Sequence, residues 1–298
     1  MLNDTLESML KLEDFYLISS NYLNESIDNE TRSTLAVWML EVCEQEDCTH
    51  EIFNPAMNLF DRFMLSAKHS QLDITKPYLQ LIGCTCLFVA SKLRSHKPLA
   101  PLKLIDYTDN SISLIDLLEL EILILQKLRY DSDSICANDY LSIYLSKLDI
   151  EHVTGVDDVK RHFYAFTALC STEIQFSFYP SSMLAFACLM CALNGLRNSI
   201  ELECGKLGSK LVNVLSNYTH IDVDCLELLT ESVNLLLGKS APCALSSEPI
   251  CCNVNVKVGN KRSSTCSSVS STSSLMELEY TNISSYCLTP PQANQLPQ

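Results

Sequence analysis

Fifteen consecutive residues, Pro77 to Ser91, carry no charge, and most of them are apolar. Within them, Leu79 to Ala90 is apolar nearly all round, which marks a helix buried on all sides and not one laid on a surface. A run of the same pattern follows 102 residues later. Thr85 to Ala90 reads TCLFVA and Ala187 to Ala192 reads ACLMCA: small, Cys, Leu, two apolar residues, Ala. Two buried helices must each be surrounded by others. The pattern therefore predicts an all-α chain of two tandem helical units, each of about 100 residues round one buried helix. Chance likeness between two apolar helices is the alternative reading. In the repeat Lys92 aligns with Asn194, so the lysine belongs to the first copy alone.

The rest of the chain supplies the surrounding helices. Leu35, Trp38, Met39 and Val42 keep the i, i+3, i+4, i+7 spacing of one apolar face. Asn54 before Pro55 reads as a helix N-cap and first-turn pair, followed by the face Met57, Phe60, Phe63 and Met64. Ile115, Leu118, Ile122 and Leu125 mark another helix. Clear β-alternation is absent, and Pro77, Pro98, Pro101 and Pro180 stand at the expected breaks. After Gly238 the character changes: eight of the twelve residues from Ser263 to Ser274 are serine. Such a tail buries too little apolar surface to offset ordering entropy, and disorder is expected there.

Charge excludes several classes. The tail from Lys239 holds four basic and three acidic residues, so the overall −15 places −16 on residues 1–238. A general nucleic-acid binder would need a basic face instead. No G-x-G-x-x-G or Walker-type loop, no H-E-x-x-H and no G-x-S-x-G is present. The histidines, His50, His69, His96, His152, His162 and His220, are scattered. Cys188 and Cys191 form C-x-x-C inside an apolar helix without a second pair, which argues against zinc or redox chemistry. Cys84, Cys86 and Cys170 lie in similar apolar stretches, where free cysteine behaves as a small hydrophobe. The acidic start, the lack of any 18-residue apolar run and the QLPQ end, which is no prenylation box, suggest a reducing compartment without a membrane anchor. No catalytic residue, metal site or cofactor is expected.

Two charges remain unexplained. Lys92 closes the buried helix, and Glu121 stands inside the apolar LLELEILILQKL. Lys92 can snorkel from a helix end that favours cations, and Glu121 can lie on an exposed face paired with a nearby lysine. The other reading is a shared surface on which both meet backbone groups of a partner.

At this point ordered motifs converge. TRSTLAVWMLEVCE (31–44), FNPAMNLFDRF (53–63), LQLIG with VASK (79–83, 89–92) and YTDNSI (107–112) together resemble the cyclin box. The wording WMLEVCE and YTDNSI is most like that of animal D-type G1 cyclins. The resemblance runs from about Thr31 to Gly238 and is weaker in the second half. It implies two five-helix bundles: a helical segment at 1–30, an N-terminal box at 31–132, a second box at 133–238, and a Ser-rich regulatory tail at 239–298. It implies a non-enzymatic subunit that binds and activates a G1-type cyclin-dependent kinase, promoting the G1/S transition through phosphorylation of retinoblastoma-type pocket proteins. Lys92 and Glu121 match the family's kinase-contacting lysine and glutamate. Inhibitor proteins and pocket-protein substrates are candidate further partners; nucleic acid and membrane are not. Nucleus and cytoplasm are the expected locations.

The match has departures. The family's substrate-docking patch is matched at Leu35, Trp38, Glu41 and Gln80, but Thr31 and Thr34 replace its Met and Ile. Weakened docking of Arg-x-Leu peptides follows. The Leu-x-Cys-x-Glu pocket-protein motif is missing; LECGK at 202–206 ends in lysine. Arg94, Ser95 and His96 stand where acidic residues often follow the family lysine. Thr289, in LTPP, resembles the late Thr-Pro phosphorylation site that triggers export and destruction of D-type cyclins. A cyclin-fold adaptor of the transcription machinery is the alternative, and the charge of −16 disfavours it.

Overall fold

A computed structural model of the chain describes residues 2–18, 28–70, 72, 74–153, 155–196, 207, 209–213 and 223–240. The described residues contain helices and no strand. In chain order the longer helices are α1 (Leu2–Glu13), α2 (Asn29–Gln45), α3 (Asn54–His69), α4 (Leu79–Arg94), α5 (Pro101–Asp106) and α6 (Leu114–Lys127). They continue with α7 (Ala137–Leu148), α8 (Val156–Thr172), α9 (Ser181–Gly195) and α10 (Val223–Ser240). The described residues up to Asn234 belong to one compact unit, and those from Leu235 on to another. The tail from residue 241 on, Thr289 included, and the LECGK segment lie outside the described residues.

The two apolar runs are the two central helices. In α4, Cys84, Cys86 and Leu87 are fully buried, and the helix packs against α2, α3 and α6. In α9, Ala187, Cys188 and Leu189 are fully buried, with α7 and α8 packed round them. Gly83 lets α2 approach: a Cβ there would stand 3.0 Å from Met39 Sδ and 3.1 Å from Leu35 Cδ1. Among the described residues the cysteines are free thiols. Burial pushes the Cys84 and Cys191 thiols up to about 12, far from the reactive thiolate range.

Asn54 departs from the expected cap. A π-helical turn, Thr49–Phe53, runs straight into α3, so the helix needs no capping side chain there and Asn54 makes no capping bond. Its Nδ2 donates instead to Asn138 Oδ1 at 3.1 Å, reaching α7 of the following bundle.

Three buried polar devices join the parts. Arg32 donates to Asp61 through two parallel bonds of 2.9 and 2.8 Å and to the carbonyl of Thr172 at 3.1 Å, tying α2 and α3 to the end of α8. Both side chains of that ion pair are 1% exposed, so its hydrogen bonds are what make the burial tolerable. Asn138 Oδ1 also accepts from Thr167 Oγ1 at 2.7 Å. The third device is Glu13, the last residue of α1. Its carboxylate accepts from the Ser182 amide and Ser182 Oγ, both at 2.7 Å, and from the Tyr140 hydroxyl at 2.9 Å. Burial pushes the Glu13 carboxyl up to about 7, against those hydrogen bonds, which pull it down.

Candidate functional site

The surface begins with how α4 ends. Ser91, fully buried, donates to the Phe88 carbonyl at 2.7 Å and accepts from the Leu99 amide at 3.1 Å. This bond folds residues 95–99 back and leaves Lys92 facing outward. Lys92 pairs with Glu121 of α6, and its ammonium sits 4.1 Å from the centroid of the Phe88 ring. The two charges stand 29 residues apart in sequence and meet because α6 packs across α4.

α6 starts at Ser113, whose Oγ accepts from the Asp116 amide at 3.1 Å and donates to Asp116 Oδ2 at 2.7 Å. Leu117 and Ile124, both fully buried, seat the helix. Of the stripe that marked this helix in sequence, Leu125 packs against the core, but the other three residues point the other way. Ile115 is 67% exposed, Ile122 56% and Leu118 41%. The helix is apolar on two faces, and only one of them can meet the core. Leu93, beside Lys92, is 48% exposed. An apolar ridge therefore flanks the Lys92–Glu121 pair.

Glu121 pairs with a lysine, as one of the two readings had it, but not on an open face. Lys92 is exposed, its side chain at 38%, but Glu121 is not free-standing: its side chain is 14% exposed and already engaged. Arg94, which replaces a commonly acidic position, turns inward. It donates to Asp133 Oδ1 and Asp139 Oδ1, each at 2.6 Å, and to the Ser134 carbonyl, tying the end of α4 to the start of α7.

The four docking-patch positions differ in burial. Leu35 is only 8% exposed and lies over Gly83, so it belongs to the core. Trp38 is half-buried against the same core, while Glu41 is exposed. Gln80, half-buried, accepts from Ser111 Oγ at 3.2 Å. Thr34 folds its hydroxyl back onto the Glu30 carbonyl at 2.8 Å, and the Thr31 amide is held by Asp28 Oδ1 at 2.8 Å. Glu13 was not singled out by sequence reasoning, and Arg94 only as a departure from the family pattern, because a lone charge near a helix end carries no signal of what it will meet. Among the described residues no group of three or more histidine, cysteine or acidic side chains could hold a metal ion, and no helix is long and apolar enough to cross a membrane.

Two helical bundles in tandem, each round one buried helix, define a two-box all-α protein. Residues 4–132 match the pattern "Cyclin, N-terminal domain" and residues 135–271 match "Cyclin, C-terminal domain"; the chain belongs to the cyclin family. It is 40% identical over 245 residues to a zebrafish (Danio rerio) protein, G1/S-specific cyclin-D1, covering 80% of this chain and 81% of that one. To human G1/S-specific cyclin-D3 it is 37% identical over 238 residues, covering 79% and 78%. The crystal structure of a viral cyclin from herpesvirus saimiri shares the fold, with a TM-score of 0.55 and 19% identity over 72% of this chain and 98% of that one.

Proposed function

We propose that this chain is a regulatory subunit that binds and activates a G1-type cyclin-dependent Ser/Thr kinase, promoting the G1/S transition through phosphorylation of retinoblastoma-type pocket proteins. The likeness to G1/S-specific cyclins supports a regulatory role in the cell cycle. The observation that carries the reading is the exposed ridge of Ile115, Leu118 and Ile122 beside the Lys92–Glu121 pair. Large aliphatic side chains in contiguous exposure mark a protein-binding surface, and the ion pair beside them sets orientation.

The mechanism is a population shift. A kinase whose regulatory helix and activation segment are out of place has an incomplete Lys–Glu pair for positioning ATP. A rigid surface that binds the active arrangement more tightly populates it in proportion to that difference in affinity. The cyclin contributes binding energy, while the reacting groups belong to the kinase. On binding, Lys92 and Glu121 exchange part of their mutual contact for backbone groups of the kinase. Reconstitution with candidate G1 kinases, reading phosphorylation of a pocket-protein fragment, tests the reading. Absence of stimulated phosphorylation with every G1 kinase would overturn it.

A further inference from the structure

α1 ends on a carboxylate that the proposed kinase surface does not use. Glu13 is 4% exposed, and the described ion pairs all engage other carboxylates. It lines a half-open cavity of about 60 Å³ at the seam of the N-terminal segment and the two bundles, with Tyr16, Asn54, Asn58, Asp61 and Ser177.

The hydrogen-bonding capacity left in that lining is one-sided. Asn54 Oδ1 and Asn58 Oδ1 are buried and accept from none of the described groups. Asn54 as a whole is 6% exposed. Their amide orientations are set at the other end: Asn54 Nδ2 donates to Asn138 Oδ1, and Asn58 Nδ2 donates to the Tyr16 carbonyl at 3.2 Å. Flipping either amide would break a bond it already makes. Spaced i, i+4 on α3, the two residues lie on one face of the helix. The nearby hydroxyl protons are committed: Ser171 donates to the Thr167 carbonyl, Ser177 to Asp61 Oδ2 and Ser181 to the Ile135 carbonyl. The charge balance is also one-sided. Arg32 neutralises Asp61, and among the described residues no cation pairs with the Glu13 carboxyl.

We propose that this cavity binds a hydrated monovalent cation of the sodium or potassium class, held by Asn54 Oδ1, Asn58 Oδ1 and the Glu13 carboxylate. Oxygen-only donors suit hard cations. A calcium ion would gather six to eight oxygens, commonly with several free carboxylates, and here one carboxylate is unpaired. Water alone would satisfy the two amide oxygens with Glu13 protonated, as burial favours near neutral pH; a cation competes with that proton, so the stabilisation it gives grows as pH rises above about 7. The bound ion would join the N-terminal segment to α3 while Glu13 holds the start of α9.

The test uses the full chain. Thermal unfolding is followed in sodium, potassium and choline chloride at equal ionic strength. Wild type is expected to melt a few degrees higher in sodium or potassium than in choline, which is too large for the cavity. Glu13→Gln should lose that difference between salts whatever its own stability, and Asn54→Asp, which adds a carboxylate, should enlarge it. Crystals grown with rubidium or thallium(I) should show an anomalous peak within coordination distance of both asparagine oxygens. Equal midpoints in all three salts, or a cavity holding water only, would overturn the proposal.

Discussion

Exchanging the charges of Lys92 and Glu121 separates their structural from their binding role. In the free chain each neutralises the other on a partly exposed surface, with side chains 38% and 14% exposed. A pair in that setting contributes about 0.2–1 kcal/mol. The Lys92–Phe88 contact, with the ammonium 4.1 Å from the ring centroid, adds about 0.5–1 kcal/mol. Lys92→Ala removes both, about 1–2 kcal/mol, and at about 2–4 °C per kcal/mol the melting temperature falls by several degrees at most. Glu121→Ala loses less, because the ring contact survives. Against the kinase each loss is larger. Truncating one member of a desolvated pair costs about 2–5 kcal/mol, or about 30-fold to several thousandfold in affinity. The reversed pair, Lys92→Glu with Glu121→Lys, restores the internal attraction but presents inverted charges to the kinase. Having lost the ring contact, it is expected to melt a few degrees below wild type at most and to fail in kinase pull-down and activation. Thermal unfolding and activation on the same preparations decide the matter. Full activation by the reversed pair would refute the partner role, because only the mutual contact would then matter.

Four further outcomes are expected. Ile122→Asp, on the exposed ridge, should change stability by no more than about 0.5 kcal/mol while abolishing kinase pull-down; a matching loss in urea unfolding would place Ile122 in the core. Arg32→Ala strands the buried Asp61 carboxylate and should cost about 3–5 kcal/mol by urea titration. For Glu46, burial alone would raise the carboxyl, but hydrogen bonds from Lys103 and Tyr107 outweigh it and hold the group below the usual glutamate range. A lowered folded-state value stabilises the fold above the unfolded value and loses that contribution as pH falls through the folded one, so the advantage of wild type over Glu46→Gln should shrink below about pH 4 in urea unfolding. Thr31→Met with Thr34→Ile should strengthen Arg-x-Leu peptide binding in fluorescence anisotropy, by up to about 1.5–3 kcal/mol per buried side chain; tight binding by wild type would contradict that reasoning.

Much of this protein was decided by composition and spacing along the chain. A run such as Leu79 to Ala90, apolar on every side, has one stable fate in water, a helix surrounded by others. Its echo at 187–192 set the number of such helices at two, and the motif order from Thr31 to Ile112 pointed to the family. None of that required knowing which residues touch. What only the tertiary structure decided was contact and facing. α6 has two apolar faces of similar strength, and periodicity cannot say which one the core takes; packing on α4 buried Leu117 and Ile124 and left Ile115 and Ile122 in solvent. Lys92 and Glu121 meet across 29 residues, so no local pattern encodes their pairing. Leu35 was legible as part of an apolar helix face, but not that Gly83 opens the space that takes it into the core. Glu13 is one acidic residue among many in an acidic chain, and its burial follows from where α1 lies against α7 and α9. Local patterning selects which segments become helices, because each helix closes its own hydrogen bonds. Which side chain is buried, paired or left free depends on neighbours distant in sequence, and only the folded chain brings those together.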